Sequence, residues 1–143
     1  MSEQQADYPT TDKPCDWKDP EGSLEDCPYP AWAEDSKGFC LYHSPKNGKT
    51  KETARLVWDE ARRKAGEPAP NFSGWHFPAG ENSFHCFSNV TFQGPAWFAY
   101  TTFEGSVSFH GSRFEEDALF LDATFTRSGD FDGASFQGKA VFT

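Results

Sequence analysis

The sequence predicts a mainly β protein: a β-solenoid over about residues 71–143, preceded by a small Cys/His module and one α-helix. Three observations predict it. Fourteen of the 15 Phe lie after position 70. From residue 87 they fall at 87, 92, 98, 103, 109, 114, 120, 125, 131, 136 and 142, so the spacing alternates five and six. That eleven-residue period holds from Phe87 to Phe142, and sustained periodicity of this kind marks a repeat architecture. Finally, the residue two before each Phe from 92 onward is small or β-branched: Val90, Ala96, Thr101, Val107, Ser112, Ala118, Ala123, Gly129, Ala134, Ala140.

Each unit is thus a short extended piece pointing one small and one large residue inward, as period-2 alternation requires. Gly94, Gly105, Gly111, Gly133 and Gly138 follow two positions after a Phe, where the chain must turn a corner. An eleven-residue repeat also suits a right-handed coiled coil. The Gly content and the scarcity of Leu, Glu and Lys would make that helix poor, so strands are preferred.

Two units per coil would leave no room for facing Phe rings. Four units, two full periods, make a coil with four walls. Phe87, Phe109 and Phe131 then stack on one wall, Phe92, Phe114 and Phe136 on the next. Phe98, Phe120 and Phe142 form a third stack, Phe103 and Phe125 a fourth. Full burial contributes roughly 1.5–3 kcal/mol per ring. Upstream, Phe72, Phe77, Phe84 and Phe87 break the rhythm, which predicts an irregular, cap-like first coil.

Stretches such as Ala123-Thr124-Phe125, Ala134-Ser135-Phe136 and Ala140-Val141-Phe142 resemble the pentapeptide-repeat family, whose A-D/N-L/F-x-x units wind a right-handed quadrilateral β-helix. The resemblance covers about half the chain. This sequence departs from the family pattern in that Asp or Asn rarely precedes the Phe and every second unit has an extra residue.

The amino-terminal part divides into a disordered tail (1–13), a Cys/His module (14–48) and a helix (50–66). Cys15, Cys27, Cys40 and His43 read as C-x11-C-x12-C-x2-H. The C-x2-H step lets two ligands reach one ion from a single turn, and three thiolates with one imidazole complete a closed structural zinc site. Unliganded thiols and disulfides are the alternatives. The arrangement is similar to small Cys3His zinc modules ending in F-C-x-x-H, including plant WRC-type domains associated with DNA binding. Cys86 falls outside the set and reads as a bystander. In the helix, Thr50 caps, Ala54, Val57, Trp58, Ala61 and Ala65 form an apolar face, and Gly66 terminates. Asp59–Arg63 and Glu60–Lys64 are expected i,i+4 pairs. Such a helix would cover the open first coil, as repeat arrays require of their ends.

The net charge of −9 disfavours whole-molecule attraction to DNA or anionic lipid. Residues 1–36 sum to −8, residues 37–64 to +5 and residues 65–143 to −6, so the basic band is expected to neutralise its acidic neighbours. No apolar run is long enough to span a bilayer, and Met1 to Asp12 lacks a signal-peptide core, which predicts a cytoplasmic location. His76, His85 and His110 lack paired nucleophiles, and no phosphate-binding glycine loop is present, so no catalytic residues are expected. Glu115, Glu116, Asp117 and Asp122 read as a solvated acidic wall. The expected function is a non-enzymatic protein-interaction scaffold. Two alternatives remain: DNA mimicry toward an enzyme such as gyrase, which the family resemblance implies, and nucleic-acid binding through the zinc module. Rhythm that runs to Phe142 also suggests a homodimer through the last coil, residues 120–143.

Overall fold

The computed structural model describes residues 8–18, 20, 27–79 and 87–142. Two strands open the chain, β1 (Thr10–Pro14) and β2 (Pro30–Trp32), paired antiparallel, followed by α1 (Lys51–Lys64). Eleven two-residue strands complete it: β3 (His76–Phe77), β4 (Thr91–Phe92), β5 (Ala96–Trp97), β6 (Thr102–Phe103), β7 (Val107–Ser108), β8 (Arg113–Phe114), β9 (Ala118–Leu119), β10 (Thr124–Phe125), β11 (Gly129–Asp130), β12 (Ser135–Phe136) and β13 (Ala140–Val141).

These short strands form four sheets, β3-β6-β10, β7-β11, β4-β8-β12 and β5-β9-β13, all parallel. Phe125 registers with Phe103 and Phe136 with Phe114, an offset of two eleven-residue periods. The chain therefore revisits each sheet once per four units. Backbone amides bond from coil to coil, as Phe98 N to Leu119 O (2.7 Å) and Glu115 N to Phe92 O (3.0 Å) do.

The interior is a column of rings. Along each wall the rings are stacked nearly parallel, Phe92 on Phe114 at 4.6 Å and 7°, Phe109 on Phe131 at 4.9 Å and 3°. Between walls many meet edge to face, such as Phe98 and Phe109 at 5.5 Å and 89°. Both are favourable geometries for aromatic quadrupoles. The first coil is more regular than the spacing suggested. Phe72 stacks on Phe98 and Phe77 on Phe103, so both join the expected ladders although each pair is separated by slightly more than one coil. The four surplus residues fall between Phe77 and Phe87, a stretch that contains the undescribed residues 80–86 and with them Phe84, His85 and Cys86.

The alternation of five and six has a conformational cause. In five-residue units the second residue after the Phe is left-handed: Gly74, Asn89, Tyr100, Gly111, Asp122 and Gly133, with φ between 55° and 73°. The corresponding residues of the six-residue units, Gly94, Gly105, Glu116, Arg127 and Gly138, have no positive φ. One extra residue lets those corners turn without the strained conformation. Gly is needed at Gly94 for another reason, because a Cβ there would collide with the carbonyl oxygen of Pro68. Gly94→Ala is expected to destabilise by about 1–3 kcal/mol through forced backbone shift. A denaturation midpoint equal to wild type would contradict this close approach.

The helix begins at the expected cap. Thr50 accepts from Thr53 N (3.1 Å), and Thr53 completes a capping box. Its buried face, Ala54, Leu56, Val57, Trp58 and Ala61, adds Leu56 to the expected set. The C-cap is Ala65, one residue before Gly66. Trp58 packs on Phe77 and Phe87 and donates from Nε1 to Pro78 O (2.8 Å), so α1 lies against the first coil. The expected i,i+4 pairs are replaced by others. Arg63 reaches back to Glu60 (2.6 Å) and forward to Glu67 (3.1 Å), and Asp59 pairs with Arg55 (2.7 Å). Glu60 is held toward Arg63 because it also accepts from the Tyr29 hydroxyl at 2.7 Å.

The reading of 1–13 as a disordered tail is corrected for its last residues. Tyr8 is buried in the core, meeting Tyr42 edge to face at 5.8 Å, and this anchor holds β1 against β2.

Candidate metal centre

Cys15 directly follows β1, and Cys40 and His43 lie on a turn closed by Ser44 N to Cys40 O (3.0 Å). Cys27 comes from the segment leading into β2. The backbone bonds Cys15 N to Tyr29 O (3.0 Å) and Asp16 N to Gly38 O (2.8 Å) draw these segments together. As a result the three Sγ atoms and one His nitrogen all lie within 4.8 Å of one another. Cys15 Sγ is 3.4 Å and Cys40 Sγ 3.2 Å from His43 Nδ1, and Cys27 Sγ is 3.8 Å from Cys40 Sγ. All four sequence-predicted ligands converge, positioned to hold a metal ion.

The surroundings prepare the donors. His43 Nε2 lies 2.9 Å from the carbonyl oxygen of Ser73. A carbonyl can only accept, so Nε2 carries the hydrogen, and Nδ1 is the ring nitrogen that faces the sulfurs. Trp17 stacks on the imidazole at 4.5 Å and 4°, fixing its plane. That indole also fills the space over Gly74, where a Cβ would strike it. Cys15 Sγ accepts from Cys40 N (3.1 Å) and Trp17 N (3.4 Å). Hydrogen bonds from Cys27 and Cys40 hold the Cys15 thiol far below its ordinary pKa. Cys27, the partner in the first of those bonds, is pushed up to about 12, and burial pushes Cys40 well above its usual value. The opposed shifts reflect one negative charge among the clustered sulfurs, because a second would crowd against it. A cation removes that obstacle, since coordination deprotonates the remaining thiols.

The centre is joined to the repeat region. Besides the His43–Ser73 bond, His76 N donates to Tyr42 O (2.7 Å), and Asn47 Nδ2 bridges Leu41 O (2.9 Å) and His76 O (2.7 Å). Tyr42 stacks on Trp75 at 4.6 Å. The side chain of His76 points outward as expected yet is only 12% exposed, because the Cys/His module covers it, and it meets Glu104 at 2.9 Å. Burial lowers its pKa from 6.5, outweighing the carboxylate. Its folded pKa lies below the unfolded one, so its contribution is complete above about pH 6.5 and is lost as pH falls below that value. A His76→Gln variant is expected to flatten the loss of stability as pH falls below about 6.5. An unchanged pH profile would contradict a neutral His76. His110 is exposed.

A family model of pentapeptide repeats matches residues 87–135, in nine copies. Pentapeptide repeats build a β-helix, and the four parallel sheets, each revisited after two eleven-residue periods, follow that plan. No curated protein and no solved structure matches the chain. Among the described residues no helix is long and apolar enough to cross a membrane.

Proposed function

We propose that the protein is a non-enzymatic interaction scaffold. In this reading the pentapeptide repeats extend to the whole of 71–142 as a right-handed quadrilateral solenoid, and a structural zinc ion in the Cys15/Cys27/Cys40/His43 centre locks the amino-terminal module onto its first coil. The observation that carries it is the continuity of the core. Buried rings run without interruption from Tyr42 and Trp75 through Phe72 and Phe77 to Phe120, so module and repeats form a single body whose outer walls are available for contact. Zinc suits the donor set. Zn–S near 2.3 Å and Zn–N near 2.0–2.1 Å imply tetrahedral edges of about 3.8 Å between sulfurs and about 3.6 Å from sulfur to nitrogen. Three of the six edges, at 3.8, 3.4 and 3.2 Å, lie within a few tenths of these, and all four donor atoms fall within 4.8 Å of one another. Four protein ligands leave no open position for a substrate.

Two features favour this reading over its alternatives. The carboxylates Glu104, Glu115, Asp117, Asp122 and Asp130 are spread around all sides of the repeat region, which does not reproduce the regular charge rows of a duplex. Part of the basic band is spent on its own neighbours, since Arg55, Arg63 and Lys64 pair with Glu52, Asp59, Glu60 and Glu67.

Affinity capture with the full metal-loaded chain tests the proposal. Saturable retention of a defined protein, insensitive to nuclease, is expected. Retention of nucleic acid that disappears with added salt would replace the scaffold by nucleic-acid binding. Inhibition of gyrase by the chain would replace it by DNA mimicry.

A further inference from the structure

The four outer walls of the repeat region differ in chemistry. Strand alternation turns the residue before each stacked Phe outward. On the Phe92 wall these are Thr91, Arg113 and Ser135, on the Phe103 wall His76, Thr102 and Thr124, and on the Phe87 wall Ser108 and Asp130. On the Phe98 wall the row begins with Asn71, bridged to Trp97, and continues as Trp97, Leu119 and Val141, in register on β5, β9 and β13. Leu121 extends this row on the next outward position. The four apolar side chains are only partly buried and lie outside the core cluster, although Ala96, Phe98, Ala118 and Phe120 between them are inside it. Nothing in the core needs an apolar residue at these positions, and the other three walls carry polar ones there.

Acids flank this stripe. Glu116 and Asp117 stand at the corner before β9, and Asp122 at the corner after Leu121, with Glu116 and Asp122 exposed. Lys139 is the one base at these corners, beside the carboxylate of Asp117, which accepts from the Lys139 amide (2.9 Å). Parallel rungs repeat at about 4.8 Å. An α-helix returns the same face after a pitch of about 5.4 Å, so a helix lying across the strands sets one apolar side chain over each rung.

We propose that the outer face of β5, β9 and β13 docks an amphipathic helix of a partner protein, apolar along one stripe and basic on both flanks. Trp97 supplies the aromatic anchor typical of such contacts. The acids at the two corners select a cationic partner and align it along the stacking axis. This rests on the scaffold reading and adds the face and the class of partner.

The test uses the full chain and two labelled helical peptides sharing one Leu stripe, flanked in one by Lys and in the other by Glu. Fluorescence anisotropy is expected to show the Lys peptide binding about ten-fold or more tightly than the Glu peptide, with Leu119→Gln removing about ten-fold of that affinity. Thr124→Gln, the matching position on the Phe103 wall, is expected to change nothing. Both variants should melt as wild type does, since neither side chain enters the core. Equal binding of the two peptides, or equal damage from Thr124→Gln, overturns the proposal. So does light scattering that shows Leu119→Gln dissolving a dimer, because a second copy would then occupy the face. Partner retention by the full chain that survives Leu119→Gln removes this face and leaves the scaffold reading intact.

Discussion

Phe109→Ala is expected to lower the unfolding free energy by about 3–5 kcal/mol, the range for emptying a buried aromatic site. Phe109 is fully buried and touches Phe87, Phe98, Phe103, Phe114, Phe120 and Phe131. Its neighbours cannot collapse into the space, because each is held in its own stack and each wall is fixed by coil-to-coil amide bonds. The comparison that gives this meaning is Phe142→Ala. Phe142 is 51% exposed, stacks on Phe120 and meets only Phe131 and Phe136 edge to face, so its removal should cost well under half as much. Chemical denaturation of both variants measures the difference. Equal losses would mean that the ring column is not what holds the repeats together.

The second large effect concerns the ion. Metal analysis of protein purified without added metal is expected to give one zinc per chain, and Cys40→Ser to give almost none. Structural zinc sites release on the order of 10 kcal/mol or more on binding at neutral pH, so chelation should unfold the amino-terminal module. The loss should reach further than the module, because Ser73, Trp75 and His76 of the first coil are bonded or stacked to His43 and Tyr42. Acid should mimic the chelator, since protons compete for the three thiolates. Equal, near-zero metal in wild type and Cys40→Ser, with identical melting, would leave the cluster as packed thiols.

The repeats are legible in the sequence because one residue type carries the rhythm. A Phe every five or six residues encodes wall, rung and inward direction at once, and the four stacks follow by arithmetic. The Cys/His cluster is legible for a similar reason, as Cys and His outside the repeats are few. What escapes a linear reading involves residues whose role depends on partners distant in sequence. Phe72 and Phe77 read as irregular because four surplus residues before Phe87 hide their phase. The order of residues 8–14 depends on Tyr8 meeting Tyr42, a contact that no local pattern announces. Asp59 and Glu60 take Arg55 and Tyr29 over their i+4 neighbours because α1 presents them to particular surroundings. The apolar row Trp97, Leu119, Val141 is readable in principle. It emerges only when every fourth unit is read together, a period at which Phe draws attention away from its neighbours.

The two kinds of corner constrain how such a chain can change length. Five-residue corners rely on a left-handed residue and six-residue corners on an additional one, so the two cannot trade places without rebuilding the turn. Duplicating one whole coil adds one rung to every wall and leaves the chemistry of each face intact. Duplicating a single eleven-residue period keeps the corner types in order yet rotates everything downstream by half a coil, which carries the Leu119 row round to the face now held by Ser108 and Asp130. Any other increment has to be absorbed outside the rungs. Surface identity on this protein is therefore inherited in whole coils, and a gain or loss of half a coil exchanges opposite faces while leaving the interior unchanged.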